Sequence, residues 1–264
     1  MKVSIVTISY NQSEFLEQAI VSVLDQNYHD IEYIVIDAGS TDGSRGIIEK
    51  HRHRIDKVIF ETDEGPADGL NKGFSIATGH IYGFLNSDDF LLPGVITKMV
   101  DAFNKNKHTD VISADTLLVD ENNTLIRKLY SDTFSLIRYA YGANFIAQQS
   151  TFFKSSLFKA VAGFNSLNQC SWDGELFVDL ALAGGRFSVV RDFWSGFRAH
   201  KHSISCSGKR DQEFNDYQKR IFVKIMQREL KPIDLIMKFY HRMIKHLLNP
   251  RGIVSRVNKN TGHL

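Results

Sequence analysis

Residues 81–90, IYGFLNSDDF, begin as a buried strand and end on two adjacent carboxylates, Asp88 and Asp89, before the chain turns apolar again. Two like charges that close repel each other unless a cation or a cluster of donors lies between them. Capping of a following helix, or plain solvation, would account for one acid. A carboxylate pair at a strand tip better suits Mg²⁺ or Mn²⁺ holding a phosphate. Such ions take hard oxygen ligands and bind through one or two carboxylates plus the substrate's own phosphates. A second polar tip, DAGSTDGS (37–44), follows another apolar run. It reads as a turn into a helix, yet Asp37 at its head can also accept from a nucleobase ring N–H. No Gly-x-Gly-x-x-Gly and no Walker loop occurs, so dinucleotide and P-loop chemistry lose support.

These tips need elements to position them, and the pattern supplies them. VSIVTI (3–8), IEYIVID (31–37), KVIFE (57–61), HIYGFLN (80–86) and DVISAD (110–115) read as strands. Helical periodicity lies between them: Phe15, Leu16, Ala19, Ile20, Val23 and Leu24 in the first helix, then a helix capped by Ser40 or Thr41 with Ile47 and Ile48 on its face. A helix over 68–79 closes on Gly79 and another opens at Pro93. Strand and helix in alternation predict an α/β fold: a Rossmann-like, mostly parallel sheet flanked by helices. Ligands of such sheets bind beyond the carboxyl ends of the strands, where SYNQ, DAGSTD, TDEG and NSDD would gather. The second half predicts a hairpin around 121–123, a strand and short helix over 148–164, and a helix offering Leu176, Phe177, Leu180 and Leu182 to the core. Two strands over 186–203 and two amphipathic helices from about Asp211 to Leu248, broken at Lys231-Pro232, complete it; the last dozen residues read as frayed.

The 264 residues are 43% hydrophobic and 23% charged, a globular balance without repeats or low-complexity stretches. No run approaches the roughly 20 apolar residues of a membrane span. The opening MKVSIVTISYNQ turns polar too soon for a signal peptide. Cys170 and Cys206 form no metal pattern, and a disulfide is not expected in a cytoplasmic protein. The net charge of +2 hides an asymmetry, since from Lys209 onward 13 Lys and Arg face 5 Asp and Glu. An acidic body with a basic tail bears on partners, not on fold.

TISYNQSEFLEQAIVSVLDQNY (7–28), YIVIDAGSTDGS (33–44), ETDEGPADGLNKGFSIATG (61–79) and GFLNSDDFLLPG (83–94) resemble, in order, the blocks of family 2 glycosyltransferases with the GT-A fold. The resemblance covers roughly residues 2–200. It implies a GT-A domain over 1–208, with a nucleotide-sugar half (1–115) and an acceptor and catalytic half (116–208), followed by a basic helical tail (209–264). It also implies inverting transfer from a nucleotide-diphosphate sugar to a saccharide or lipid-linked acceptor, in surface polysaccharide or glycoconjugate synthesis, assisted by Mg²⁺ or Mn²⁺. By position, Ser9, Tyr10 and Asp37 would line the nucleoside site, with Asp63 sharing the base-reading role because Ala38 stands where many relatives carry a second acid. Asn86, Ser87 and Asp88 occupy the Asp-x-Asp place, making Asp88 the metal ligand, with Asp89 or a histidine making up for Asn86. Asp173 in SWDGELFVDLALAG matches the catalytic base and is favoured over Glu175. In FRAHKHSIS, where His200 and His202 would face opposite sides of a strand, His200 matches a residue near the diphosphate or metal.

Weaker signals remain. Asp68 and Lys72 form an ordinary i,i+4 pair or serve ribose, sugar and phosphate. Gln148 and Gln149 offer polar groups on the acceptor side. The helix MKFYHRMIKHLL packs on the body with a solvated basic face, or attaches to an anionic membrane surface. Nucleic acid is not an expected partner. A sugar nucleotidyltransferase and a non-catalytic sugar-nucleotide-binding scaffold are the alternative readings, the former lacking a Gly-rich triphosphate loop near the N-terminus.

Overall fold

The computed structural model describes residues 1–201, 203 and 211–257; His202, Cys206 and the 208/209 boundary fall outside them. The apolar run after Lys2 forms β1 (Val3–Ser9), which runs parallel to β2 (Ile31–Asp37) on one side and β4 (Ile81–Asn86) on the other; β2 in turn is parallel to β3 (Lys57–Phe60). Between them lie α1 (Ser13–Leu24), α2 (Ser44–His51) and α3 (Pro66–Ser75), and α4 (Val95–Lys105) follows β4. Side chains alternate across the sheet. Val3, Ile5, Tyr33 and Val35 pack with α1 and α4, whereas Val6, Ile34 and Ile36 pack with α3. Each strand is therefore apolar on both faces, the mark of a strand covered by helices twice over.

Beyond β4 the sheet departs from a parallel run. β8 (Thr151–Lys154) returns antiparallel between β4 and β6 (Val111–Val119), so the DVISAD strand is not β4's neighbour. β6 forms the expected hairpin with β7 (Leu125–Leu129) and runs parallel to β9 (Phe187–Arg198), whose far edge takes the two-residue β5 (Phe90–Leu91). The order is β3-β2-β1-β4-β8-β6-β9-β5. The two strands expected over 186–203 are one. Register shifts around Asp115 let a single twelve-residue strand bend without ending.

Local punctuation differs from expectation at several points. Ser40 and Thr41 do not cap α2. Gly43 does, at a φ of 103° that favours glycine, because the Ser40 hydroxyl is held by Asp37. Gly79 does not close α3, which stops at Ser75; the Gly79 N–H donates to the Ser4 hydroxyl instead. Pro93 lies one residue before the Gly94 cap of α4. Leu182 is 47% exposed at the end of α7 (Trp172–Leu182), where the core face has already turned away. A short α5 (Leu136–Ala140) carries no strong sequence signal, and α6 (Ser155–Ala160) follows β8 as expected.

The basic segment forms α8 (Asp211–Met226) and α9 (Ile233–Leu248). α10 (Arg251–Val257) occupies part of the stretch that read as frayed, and the Ser255 hydroxyl there donates to the Lys128 carbonyl. These helices join the body: Arg220 pairs with Glu175, and Asn249 donates to Asp132 and to the carbonyls of Tyr130 and Ser131.

One buried carboxylate fastens the sheet edge opposite the polar tips. Glu32 accepts from the Ser4 and Thr78 hydroxyls, the Thr78 N–H and Lys57. Burial alone would raise its pKa, but these donors win and lower it to about 2. A carboxyl depressed on folding adds stability above its unfolded pKa and loses it as pH falls towards the folded value. Stability should therefore decline from about pH 4.5 towards about pH 2. Glu32→Gln should be less stable at neutral pH and flatter across that acid window, as urea titrations at successive pH values would show.

Candidate active site

Ser9, Asn86, Ser87, Asp88 and Asp173 open on one cleft of about 650 Å³ at the carboxyl ends of β1 and β4. Parallel pairing sets this edge, since Ile8 lies beside Asn86 and Ser9 beside Asp37. Tyr10 extends over the rim, 61% exposed. Asp63 enters from the loop before α3. Gly69 leaves room for it, because a Cβ there would meet the Asp63 carboxylate at 2.6 Å. Burial raises the Asp63 pKa above the ordinary carboxylate value, against one N–H from Gly65.

The neighbouring acids of NSDD are kept apart in role. Asp89 turns inward, 2% exposed, and accepts from the Arg198 N–H at 3.0 Å. Burial, then the Asp88 charge, push its pKa well above the usual value. Asp88 faces the cleft and meets His200 Nε2 at 2.9 Å from Oδ2. The buried Arg198 guanidinium secures the arrangement. It donates to the Asp88 carbonyl, to the carbonyls of Asp120 and Glu121 in the β6–β7 turn, and to Gln18 of α1, while lying over the Phe15 ring at 4.7 Å. The sequence marked His200; it gave no sign that the preceding arginine is the keystone, since an arginine on a strand normally faces water.

Asp37 does not line the cleft. It is fully buried and accepts from the Gly39 and Ser40 N–H groups, the Ser40 hydroxyl and Arg45. Burial raises its pKa, yet these donors outweigh it and hold the carboxyl below its ordinary value. The Ser40 hydroxyl accepts from the Asn11 N–H, and the Asn11 side chain accepts from the Thr41 N–H, so Asp37 knits the SYNQ and DAGSTD loops together. Asp68 and Lys72 also lie outside the cleft lining. They pair with each other at 3.1 Å, and Lys72 donates to the Thr62 carbonyl.

α7 separates its two acids. Asp173, in the first turn, reaches the cleft with its pKa raised by burial against the opposing N–H groups of Gly174 and of Asp173 itself. Glu175 points away. It accepts from Asn165, Asn168 and Arg220, which lower its pKa despite burial. Gln148 and Gln149 line the cleft, and Gln148 bridges Asn86 and the Phe84 carbonyl. Gln12 and Trp172 line it too, a contribution that sequence spacing did not single out. Three buried polar atoms of the lining have no hydrogen-bond partner among the described residues: Ser9 Oγ, Asn86 Oδ1 and Trp172 Nε1. Orphans of this kind cost stability unless a ligand satisfies them.

Residues 4–162 match the family described as "Glycosyl transferase family 2". The chain belongs to that family. An uncharacterised glycosyltransferase of Nostoc is 27% identical over 226 residues, 81% of this chain and 70% of that protein. A chondroitin synthase of Escherichia coli is 26% identical over 185 residues, covering 69% of this chain and 27% of that longer protein. The mannosyltransferase PcManGT from Pyrobaculum calidifontis, in complex with GDP-Man and Mn²⁺, has a TM-score of 0.65 at 17% identity over 100% of this chain and 76% of that one, a likeness of fold. This family 2 glycosyltransferase thus has the GT-A architecture that its sequence blocks implied, and the scaffold alternative gives way to an enzyme with relatives among polysaccharide synthases. Within its site, truncation of Arg198 strips the Asp88, Asp120 and Glu121 carbonyls and Gln18 of their donor and removes the positive charge that opposes the burial of Asp89. Arg198→Ala should cost about 3–5 kcal/mol in chemical denaturation.

Proposed function

We propose that this family 2 glycosyltransferase moves a sugar, with inversion, from a nucleotide-diphosphate sugar to a hydroxyl of a saccharide or lipid-linked acceptor. The observation that carries the reading is the shared cleft: Asp88 and Asp173 open on it together, among three unpartnered buried polar atoms. Tyr10 at the rim offers a ring for a nucleobase to stack on, with Ser9 and the half-buried Asp63 beside it for polar contacts to the nucleoside. Asp37 supports this end of the cleft from behind by fixing the loop.

The residues at Asp88 fit a divalent cation. Among the described residues no three His, Cys, Asp or Glu side chains cluster as a self-sufficient metal cage. Asp88 with His200, beside the unpartnered Asn86 carbonyl oxygen, suits an ion that draws its remaining ligands from a diphosphate. Mg²⁺ or Mn²⁺ bound there supplies Lewis-acid stabilisation of the leaving diphosphate's charge.

Asp173 takes the proton from the acceptor hydroxyl. The resulting oxygen forms its bond to the anomeric carbon as the bond to the diphosphate breaks on the opposite face, through an oxocarbenium-like state. Its seat in the first turn of a packed helix holds the carboxylate in place. Glu175, already committed to two asparagines and an arginine, is a support for that helix. Phe145, Trp172 and Phe197 wall the same cleft and suit the apolar face of a sugar ring. With the reading goes the expectation of a cytoplasmic enzyme that meets a lipid-linked acceptor at the inner face of the membrane. A nucleotidyltransferase would need a cationic triphosphate loop, and among the described residues none that lines this cleft is Lys or Arg.

A thermal-shift screen of nucleotide diphosphates with and without Mn²⁺ tests donor binding directly; no stabilisation by any of them would overturn the reading. Asp173→Asn should lower turnover by about 10²–10⁴-fold with donor binding nearly unchanged. Glu175→Gln should instead act mainly on stability. A base must be ionised, and the Asp173 pKa is raised, so the acid limb of turnover should lie above the ordinary carboxylate range and vanish in Asp173→Asn. Asp88→Ala should abolish the Mn²⁺ dependence of donor binding in calorimetry.

A further inference from the structure

Helix α9 is inside out. Its inner face is largely polar: Asp234 is 2% exposed and paired with Arg228, His241 stacks on Tyr141, and Lys245 pairs with Asp132, with Met237 packed on the Tyr141 and Phe222 cluster between them. Its outer face carries Leu235, Ile236, Phe239, Tyr240, Met243 and Leu247, each between 51% and 77% exposed. A water-facing helix normally shows the reverse, and soluble monomers rarely expose so continuous an apolar face. The face is not a product of poor packing, because the inner hydrogen bonds fix the rotation of the helix about its axis.

Charge identifies what covers it. At 100° per residue, Lys238 and Arg242, both exposed, form a stripe along one border of the apolar arc. The only acid within α9 is the buried Asp234. No helix of the described residues is long and apolar enough to cross a membrane. A second copy of the chain would bring the same basic stripe and no acid from α9 to meet it. We infer that α9 lies in the interface of an anionic lipid bilayer, its apolar face among the acyl chains near the headgroups and its basic stripe against lipid phosphates. The inference stands apart from the reaction proposed above, so an inactive enzyme could still bind lipid and an active one could fail to.

Co-sedimentation of the full chain with vesicles tests it. Binding is expected to vesicles of phosphatidylcholine mixed with phosphatidylglycerol, and to be much weaker to phosphatidylcholine alone. Phe239→Ser with Leu247→Ser, and separately Lys238→Glu with Arg242→Glu, should each lower the bound fraction on the order of tenfold or more. These side chains are exposed, so circular dichroism and donor-dependent thermal shift should be unchanged. High salt should weaken the charge-dependent part. Binding that is equal for both vesicle types, or unchanged in both variants, overturns the inference. So does a dimer in sedimentation velocity that Phe239→Ser with Leu247→Ser dissociates while wild-type protein ignores the vesicles.

Discussion

Two adjacent carboxylates at the end of a buried strand are an electrostatic liability, and the site exists because the fold gives each a different environment. Asp89 is taken inside, next to a buried arginine. Asp88 is left at the cleft with a histidine at hydrogen-bond distance. Arg198 makes both placements possible at once, since its guanidinium also collects carbonyls from the β6–β7 turn and a glutamine from α1. Burying a guanidinium is unfavourable unless its donors are met, and here they are met by elements far apart in sequence. The Asp88 edge of the cleft and the helical layer are therefore stabilised by the same side chain.

The rest of the cleft follows a similar division between acids that face the cavity and acids that brace its walls. Asp37 is surrounded by donors and orders two loops; Asp63, with a single backbone donor, stays available. On α7, Asp173 faces the cleft while Glu175 binds Asn165, Asn168 and Arg220. Gly174 between them admits a hydrogen-bonded pair of phenols, Tyr139 from α5 and Tyr217 from α8, against the helix backbone. The basic C-terminal segment thus braces α7 through Tyr217 and Arg220 before it reaches the outward apolar face of α9.

Much of this was legible in the residues. Apolar runs of strand length alternating with helical periodicity gave β1 to β4 almost to the residue and α1 to α4 with ends displaced by up to four residues, because both periodicities are local consequences of backbone geometry while helix ends depend on capping partners. The pairing of Asp88 with His200 rested on ordered family blocks, and the two side chains meet across 112 positions of sequence. Other features were illegible for stated reasons. Ser40 looked like a helix cap because its hydroxyl is of the right type, but Asp37 competes for it. A bulge in β9 opposite Asp115 joins what reads as two strands, and no residue pattern announces a register shift. The polarity of α9 could be read, but not which face would be turned inward.

By itself the sequence determined the α/β alternation, the polar tips at the strand ends and the membership of a sugar-transferring family, since these depend on local periodicity and on residue types at fixed spacing. Tertiary structure alone decided that β8 lies between β4 and β6, that Asp173 rather than Glu175 reaches the cleft, that Asp37 is turned away from it, and that Arg198 is buried. Each of those outcomes is a competition between partners distant in the chain for the same donor, acceptor or space. Such a competition has no local signature, and only the packed fold settles it.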